Sequence, residues 1–175
     1  MTFEAFSNGL LQWIVRGAGL VWLFGALVLA YQIFIEWMMD RLQPAMQEAG
    51  RKMRAEIARI DPSFRPEEPV RNEEEEAWIL RDNGARRGWI AGQAVVLAVT
   101  SLAMMLLHPF ASWMAALLVL GQGVYFIWRE HTARRAPSPK AAAHARPSQA
   151  TVNAGWMSLA VALLVWLAAS RGLLR

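Results

Sequence analysis

Between Gly88 and Trp128 the chain runs through forty-one residues with no Asp, Glu, Lys or Arg, GWIAGQAVVLAVTSLAMMLLHPFASWMAALLVLGQGVYFIW. A helix that crosses a bilayer needs roughly 20 mostly apolar residues. This stretch holds two such runs, divided at His108–Pro109. Proline has no N–H and disfavours helix at the residue before it, so that dipeptide is a natural reversal point. The expectation is a spanning helix over 88–107, an outer turn at 108–109 and a second spanning helix over 110–128.

Two further apolar blocks, 17–39 and 153–170, have the same character. Hydrophobic residues make up 55% of the 175 positions and arrive in unbroken blocks rather than in periods of 2 or 3.6. A helix that is apolar all round is buried in protein or lipid. The fold class that follows is an all-α integral membrane protein with four transmembrane helices. The opening segment 1–16 places Phe3, Phe6, Leu10 and Ile14 at helical spacing, and either lies on the membrane surface or extends the first span. Gly17–Ile35 does not read as a cleaved signal peptide: no basic stretch precedes it, and Glu36, Trp37 and Asp40 follow it.

Residues 40–87 form the large polar region, with ten Lys/Arg and eleven Asp/Glu. Met46, Gly50, Met53, Ile57 and Ile60 recur in steps of four and three, the spacing of one helical stripe. The first span is expected to continue into this stalk with a bend at Pro44. Asp61–Pro62 stops it, and the run to Pro69 is expected to be extended. Asn72 with Glu75 three residues on resembles a capping box that starts a short helix. The Glu73–Glu76 run reads chiefly as a solvated first turn at the positive end of that helix, with a dock for a basic partner or a metal as alternatives. Beyond the hairpin, 129–152 is basic, and its APSPKAAAHARPS portion reads as a flexible cytoplasmic linker. A short tail, 171–175, follows the last span.

Basic residues near spanning helices mark the cytoplasmic side. Residues 40–87 and 129–152 hold fifteen of the eighteen Lys/Arg, so both polar loops are placed in the cytoplasm and both termini outside, most naturally in a bacterial inner membrane. Trp37, Trp89, Trp128 and Trp156 then fall at the cytoplasmic ends of the four spans, where indoles anchor at the interface.

Several surfaces stand out on this frame. Small residues let helix backbones approach in lipid. The rows Gly84, Gly88, Gly92, then Ser112, Ala116, and Ala154, Ser158, Ala162 are candidate packing or subunit faces, the first of them expected mainly as a seam within the chain. Gln32, Gln93 and Gln122 lie five, four and six residues inside Trp37, Trp89 and Trp128. That depth, roughly 6–9 Å below the interface, makes them a polar layer that either pins packing or lines a path. Glu36 sits one turn beyond Gln32 on the same face and joins this layer; it is expected to pair with a nearby basic group such as Arg41 or Arg129, and is otherwise the carboxylate that would face a path. Arg81, Arg86, Arg87, Arg129, Arg134 and Arg135, with Lys140, form a basic collar suited to anionic lipid headgroups. His108 reads as a turn residue and His131 as part of the collar, and neither pairs with His144 at a depth that would hold haem.

There is no Cys, and no Ser/His/Asp, His-Glu-x-x-His or phosphate-loop pattern. Catalysis, a bound cofactor and a resident metal are therefore not expected. Nor is nucleic-acid binding, because the basic residues lie on a short loop without aromatic platforms. The order of a spanning helix, a polar region and a short hairpin resembles flagellar-stator-type proton channels. The fourth span, the small polar region and the lack of a hydroxyl-lined path depart from that pattern, and no residue roles follow from it. The expected function is a non-catalytic subunit of a larger membrane complex that contacts other integral membrane chains. The alternative is a small homo-oligomeric channel or pore-forming effector.

Overall fold

The computed structural model describes residues 3–61 and 73–174, and among them the chain is all-helical with no strand. Its elements are α1 (Phe3–Ile60), α2 (Glu73–Met105), α3 (Phe110–Arg134), the short α4 (Pro139–Ala145) and α5 (Gln149–Ser170). Four helices are long and apolar enough to cross a membrane.

α1 is a single helix of 58 residues, about 87 Å long at 1.5 Å per residue. From Phe3 to Arg16 the chain is thus part of α1 and not a separate surface helix. Pro44 lies inside the helix without ending it. Proline removes one i→i−4 bond, and the long runs of helix on either side carry the chain through. α2 is likewise continuous from Glu73, so the short helix expected before Gly88 and the span after it are one element. The proposed cap at Asn72 and the run from Pro62 to Pro69 lie outside the described residues.

α1 and α2 pack antiparallel. Gly19 of α1 faces Ser101 and Met104 of α2, Gly25 faces Leu97, and Glu36 and Asp40 meet Arg87. α2 packs on α3, α3 on α5, and α5 touches α1, which closes the bundle. The apolar core gathers near the hairpin turn. It joins Leu11, Val15 and Trp22 of α1 to Met104 of α2, Ala111, Ala115 and Leu118 of α3, and Val161, Ala162 and Val165 of α5.

Two helix ends in this region close in the same way. After α5, Gly172 adopts φ +65, with its N–H bonded to Ala169 O and that of Leu173 to Ala168 O. After α2, Leu107 adopts φ 54, with its N–H bonded to Met104 O and that of His108 to Ala103 O. Both are Schellman caps, and the second carries leucine where glycine is the usual residue. Leu107 and Leu173 are both buried in the core, so each cap also folds an apolar side chain back beneath its helix.

The opposite end of the bundle holds the largest departure from the sequence reading. The segment expected as a flexible linker contains a capped helix. Ser138 Oγ accepts from Ala141 N at 3.1 Å, Pro139 occupies the first helical turn, and Ala141 and Ala145 are fully buried. Serine at the cap and proline just after it are the expected start of a helix. Seven residues are too few to hold a helix in isolation. α4 persists because its alanines pack against α3 and α2.

Candidate functional site: a buried polar seam between α2 and α3

Asp82, Arg86, Trp89 and Gln93 follow one another along α2 in steps of four, three and four. At 100° per residue they occupy an arc of about 60°, one face of the helix. Antiparallel packing sets that face against α3 in a constant register. Asp82 meets Arg129, Trp89 meets Tyr125 and Trp128, and Gln93 lies against Gly121. The Gln93 amide lies where a Cβ on Gly121 would stand, so the two residues pack closely.

At the mouth of the seam Arg129 Nη1 donates to Asp82 Oδ1 at 2.7 Å, and both side chains are almost wholly buried. Arg129 Nη2 donates to the His144 carbonyl of α4 at 3.1 Å, and His144 Nε2 lies 2.9 Å from Asn83 Oδ1. One guanidinium therefore ties three helices together. Ala133 of α3 and Ala141 and Ala145 of α4 are buried as well. Below, the rings of Trp89, Tyr125 and Trp128 sit about 6 Å apart, at 5.9 to 6.1 Å between centroids. Such spacing is within the attractive range for aromatic pairs.

The hydrogen bonding of this seam is incomplete. Asp82 Oδ2, Arg86 Nε, Trp89 Nε1, Gln93 Oε1 and Arg129 Nε are buried without a hydrogen-bond partner. A buried polar group left without a partner costs about 1–3 kcal/mol. Deeper along α2 the pattern ends. Thr100 and Ser101, both fully buried, bond back to Val96 O and Leu97 O at 2.6 Å and leave no hydroxyl unpaired.

The structure distributes the sequence-derived residues unevenly. The Gln layer does not form within the chain. Gln93 lies in the α2–α3 seam, Gln122 Nε2 donates to Ser158 Oγ of α5 at 2.9 Å, and Gln32 is exposed on the outer side of α1. Glu36 faces Arg87 Nε at 3.9 Å rather than Arg41 or Arg129. Arg87 also pairs with Asp40, and Arg41 instead stacks on Trp37 with 3.8 Å from its guanidinium carbon to the ring.

Gly84, Gly88 and Gly92 do not form a seam within the chain. They are exposed, with nothing within 4 Å of where a Cβ would stand. The close approaches fall instead at Gly19, Gly121 and Gly155, the last of these against the ring of Phe126. In the first turns of α3 the buried small residues are Ala111 and Ala115, each one position before Ser112 and Ala116, which are half-buried. Ser112 O accepts from Trp166 Nε1 of α5 at 3.1 Å. Of the α5 row, Ser158 and Ala162 are buried and Ala154 is exposed.

Trp37 and Trp156 face outward, whereas Trp89 and Trp128 belong to the internal aromatic cluster. The basic collar divides in the same fashion. Arg129, Arg86 and Arg87 are drawn into the bundle, while Arg81, Arg134 and Arg135 are exposed. Arg134 pairs with Glu130 at 3.0 Å, and Lys140 approaches Glu75 at 3.9 Å. His108 Nδ1 accepts from Phe110 N at 3.2 Å in the turn, and His131 is exposed.

The residues that sequence reasoning missed are Asp82, Asn83, Tyr125 and the α4 backbone at His144. A signal for the first was present: Asp82 stands a helical repeat of seven before Trp89 and eleven before Gln93, on one face. Among the described residues, no three His, Cys, Asp or Glu side chains come together. Among the described residues of the seam, no nucleophile stands beside a base. No family model, curated protein or solved structure matches the chain.

Proposed function

We propose that the chain is a non-catalytic, polytopic subunit of a larger membrane assembly, with a scaffolding or accessory role. In this reading it sits in a bacterial inner membrane with both polar loops in the cytoplasm and both termini outside. The observation that carries the reading is α1 beyond Pro44. There Met46, Met53, Ile57 and Ile60 are exposed along one stripe of a helix otherwise rich in charge. This part lies past the apolar span, so lipid tails do not cover the stripe. A row of large apolar side chains in a polar segment is the mark of a protein contact. The exposed glycines of α2 add a second face, one that another spanning helix can approach closely. The exposed Arg81, Arg134, Arg135, Lys140 and Arg146 share the end that the reading places against anionic headgroups, which supports the orientation.

A second reading, a small homo-oligomeric channel, draws on Gln32. This amide lies in the apolar part of α1 and faces outward, where another copy of the chain could complete a polar lining. Native mass spectrometry of the protein extracted in mild detergent separates the two. Unlike chains in fixed ratio support the subunit reading. A symmetric multiple of this chain alone supports the channel, and a lone monomer counts against both.

A further inference from the structure

Gln32, Met39, Met46, Met53 and Ile60 recur along α1 at intervals of seven. At 100° per residue each interval drifts by only about 20°, so all five lie on one face, within an arc of about 80°. Ile35, Leu42 and Ile57 fall inside the same arc. No charged residue does, although eight of the 21 residues from 40 to 60 are charged. This face turns away from the bundle: Gln32 and the five at Met39, Leu42, Met46, Met53 and Ile60 are exposed, and none belongs to the apolar core. From Gln32 to Ile60 the stripe runs about 42 Å, out of the apolar span and along the charged stalk without a break. An apolar stripe of this period is the seam of a two-stranded coil.

Whatever covers this face must match it along its whole length. A soluble partner on the stalk would leave the Gln32 amide in lipid, and a helix confined to the bilayer would leave Met53 and Ile60 in water. A helix that crosses the membrane and continues for about 30 Å beyond it covers both, and α1 is itself such a helix. Copies of one chain insert the same way up, so two α1 helices lie parallel, with each residue of the stripe opposite its counterpart. Gln32 then meets Gln32, and a carboxamide both donates and accepts, so it is its own complement. A single polar residue on the seam of a coil also fixes its register. The flanking charges agree. Arg54 and Glu56 stand on opposite sides of the stripe, each about 80° from its middle, and a parallel two-fold pair sets the Arg54 side of one helix against the Glu56 side of the other. We propose that two copies of this chain pair through α1, in a parallel, in-register coil that begins at Gln32 within the membrane and extends along the stalk to Ile60. The pair rests on the reading of α1 as a spanning helix with a contact-making stalk. It names a second copy as the occupant of that stripe, whether or not unlike chains join the assembly at other faces, such as the open glycines of α2.

The chain has no cysteine of its own, which makes the test direct. Single-cysteine variants Met39→Cys, Met46→Cys and Met53→Cys on the stripe, with Glu48→Cys and Lys52→Cys off it, are oxidised in membranes by air and a copper–phenanthroline catalyst. Linked dimers are read on a non-reducing gel. All five positions are exposed and outside the apolar core, so none of the variants puts folding at stake. A disulfide forms only where the two Cβ atoms approach within about 4.5 Å, and the stripe variants are expected to link at least about tenfold faster than Glu48→Cys and Lys52→Cys. Equal rates on and off the stripe are the mark of random collision and overturn the pair. Register is read by expressing the Met39→Cys chain beside a differently tagged Met46→Cys chain. In the proposed coil those two thiols stand about 10 Å apart along the axis, and the mixed disulfide should not form. A mixed disulfide that forms as fast as the matched ones overturns the in-register coil. If no stripe variant links while native mass spectrometry finds unlike chains in fixed ratio, the self-pairing falls and the subunit reading stands.

Discussion

Arg129 of α3 and Asp82 of α2 form an ion pair with side chains only 1% and 3% exposed, at 2.7 Å and 47 residues apart in sequence. Removing one member of a buried pair strands the other charge, which costs about 3–5 kcal/mol, whereas replacing both with apolar residues of similar size is often close to neutral. Asp82→Leu and Arg129→Met should therefore each lower the thermal unfolding temperature sharply in detergent, and the double variant should recover most of the loss. Additive losses in the double variant would show that the pair stabilises beyond its own desolvation, through the link from Arg129 to the His144 carbonyl.

The glycines of the bundle separate into two kinds, and substitution should reveal them. At Gly19 a Cβ would stand 2.9 Å from Ser101 O and 3.1 Å from Met104 Cβ, so alanine there must push α1 away from α2. Overpacking of this sort costs about 1–3 kcal/mol. At Gly92 a Cβ meets nothing, and alanine is favoured over glycine in a helix by roughly 1 kcal/mol. Gly19→Ala should melt earlier than the parent chain, and Gly92→Ala at the same temperature or slightly later. If Gly92→Ala instead reduced association with other chains while leaving the melting temperature unchanged, the outward row would be a subunit contact.

The apolar blocks made the four long helices legible, because length and continuity of hydrophobicity are local properties. Relative order along each helix was legible too, since residues counted along it give axial position directly. Azimuth was not. The inner face of α1 passes through Leu11, Val15, Gly19, Trp22 and Ala26, a line that reaches Ile33 and Glu36. Gln32 stands one residue, or about 100°, off that line and so faces away from the Gln93 that shares its depth. The same rotation separates the buried Ala111 and Ala115 from the expected Ser112 and Ala116. Arg129 was taken for a headgroup cation because its partner lies on a different helix, and no local pattern announces a pairing across 47 residues. α4 escaped for a related reason, in that its stability comes from burying Ala141 and Ala145 against neighbours the sequence does not place beside it.

Leu107 sets two effects against each other. Holding a leucine in the left-handed region costs roughly 1–2 kcal/mol, which glycine would relieve. Truncating a buried leucine costs about 2–5 kcal/mol. Leu107 is buried in the core beside the hairpin turn, so the second effect should win. Leu107→Gly is expected to be less stable than the parent by a net amount of about 1–3 kcal/mol, read from thermal or denaturant unfolding in detergent. A more stable Leu107→Gly would mean that backbone strain at the turn outweighs the packing of its side chain.

The stripe on α1 beyond Pro44 offers the sharpest separation of assembly from folding. Met53 and Ile57 are exposed and contribute nothing to the apolar core, so charged substitutions there should leave the stability of the isolated chain within about 0.5 kcal/mol of the parent. The same substitutions place charge in the middle of any apolar contact the stripe makes, where truncating a central residue commonly costs about 2 kcal/mol or more. Met53→Lys combined with Ile57→Lys is therefore expected to lose co-purifying chains by at least about tenfold, with an unchanged melting temperature and an intact bundle. The channel reading makes a different prediction for the same variant. Contacts between copies that run along Gln32 and the apolar part of α1 would survive it, and the symmetric oligomer would persist. The state of the complex in this one variant thus decides whether the stalk or the span holds the chain to its neighbours.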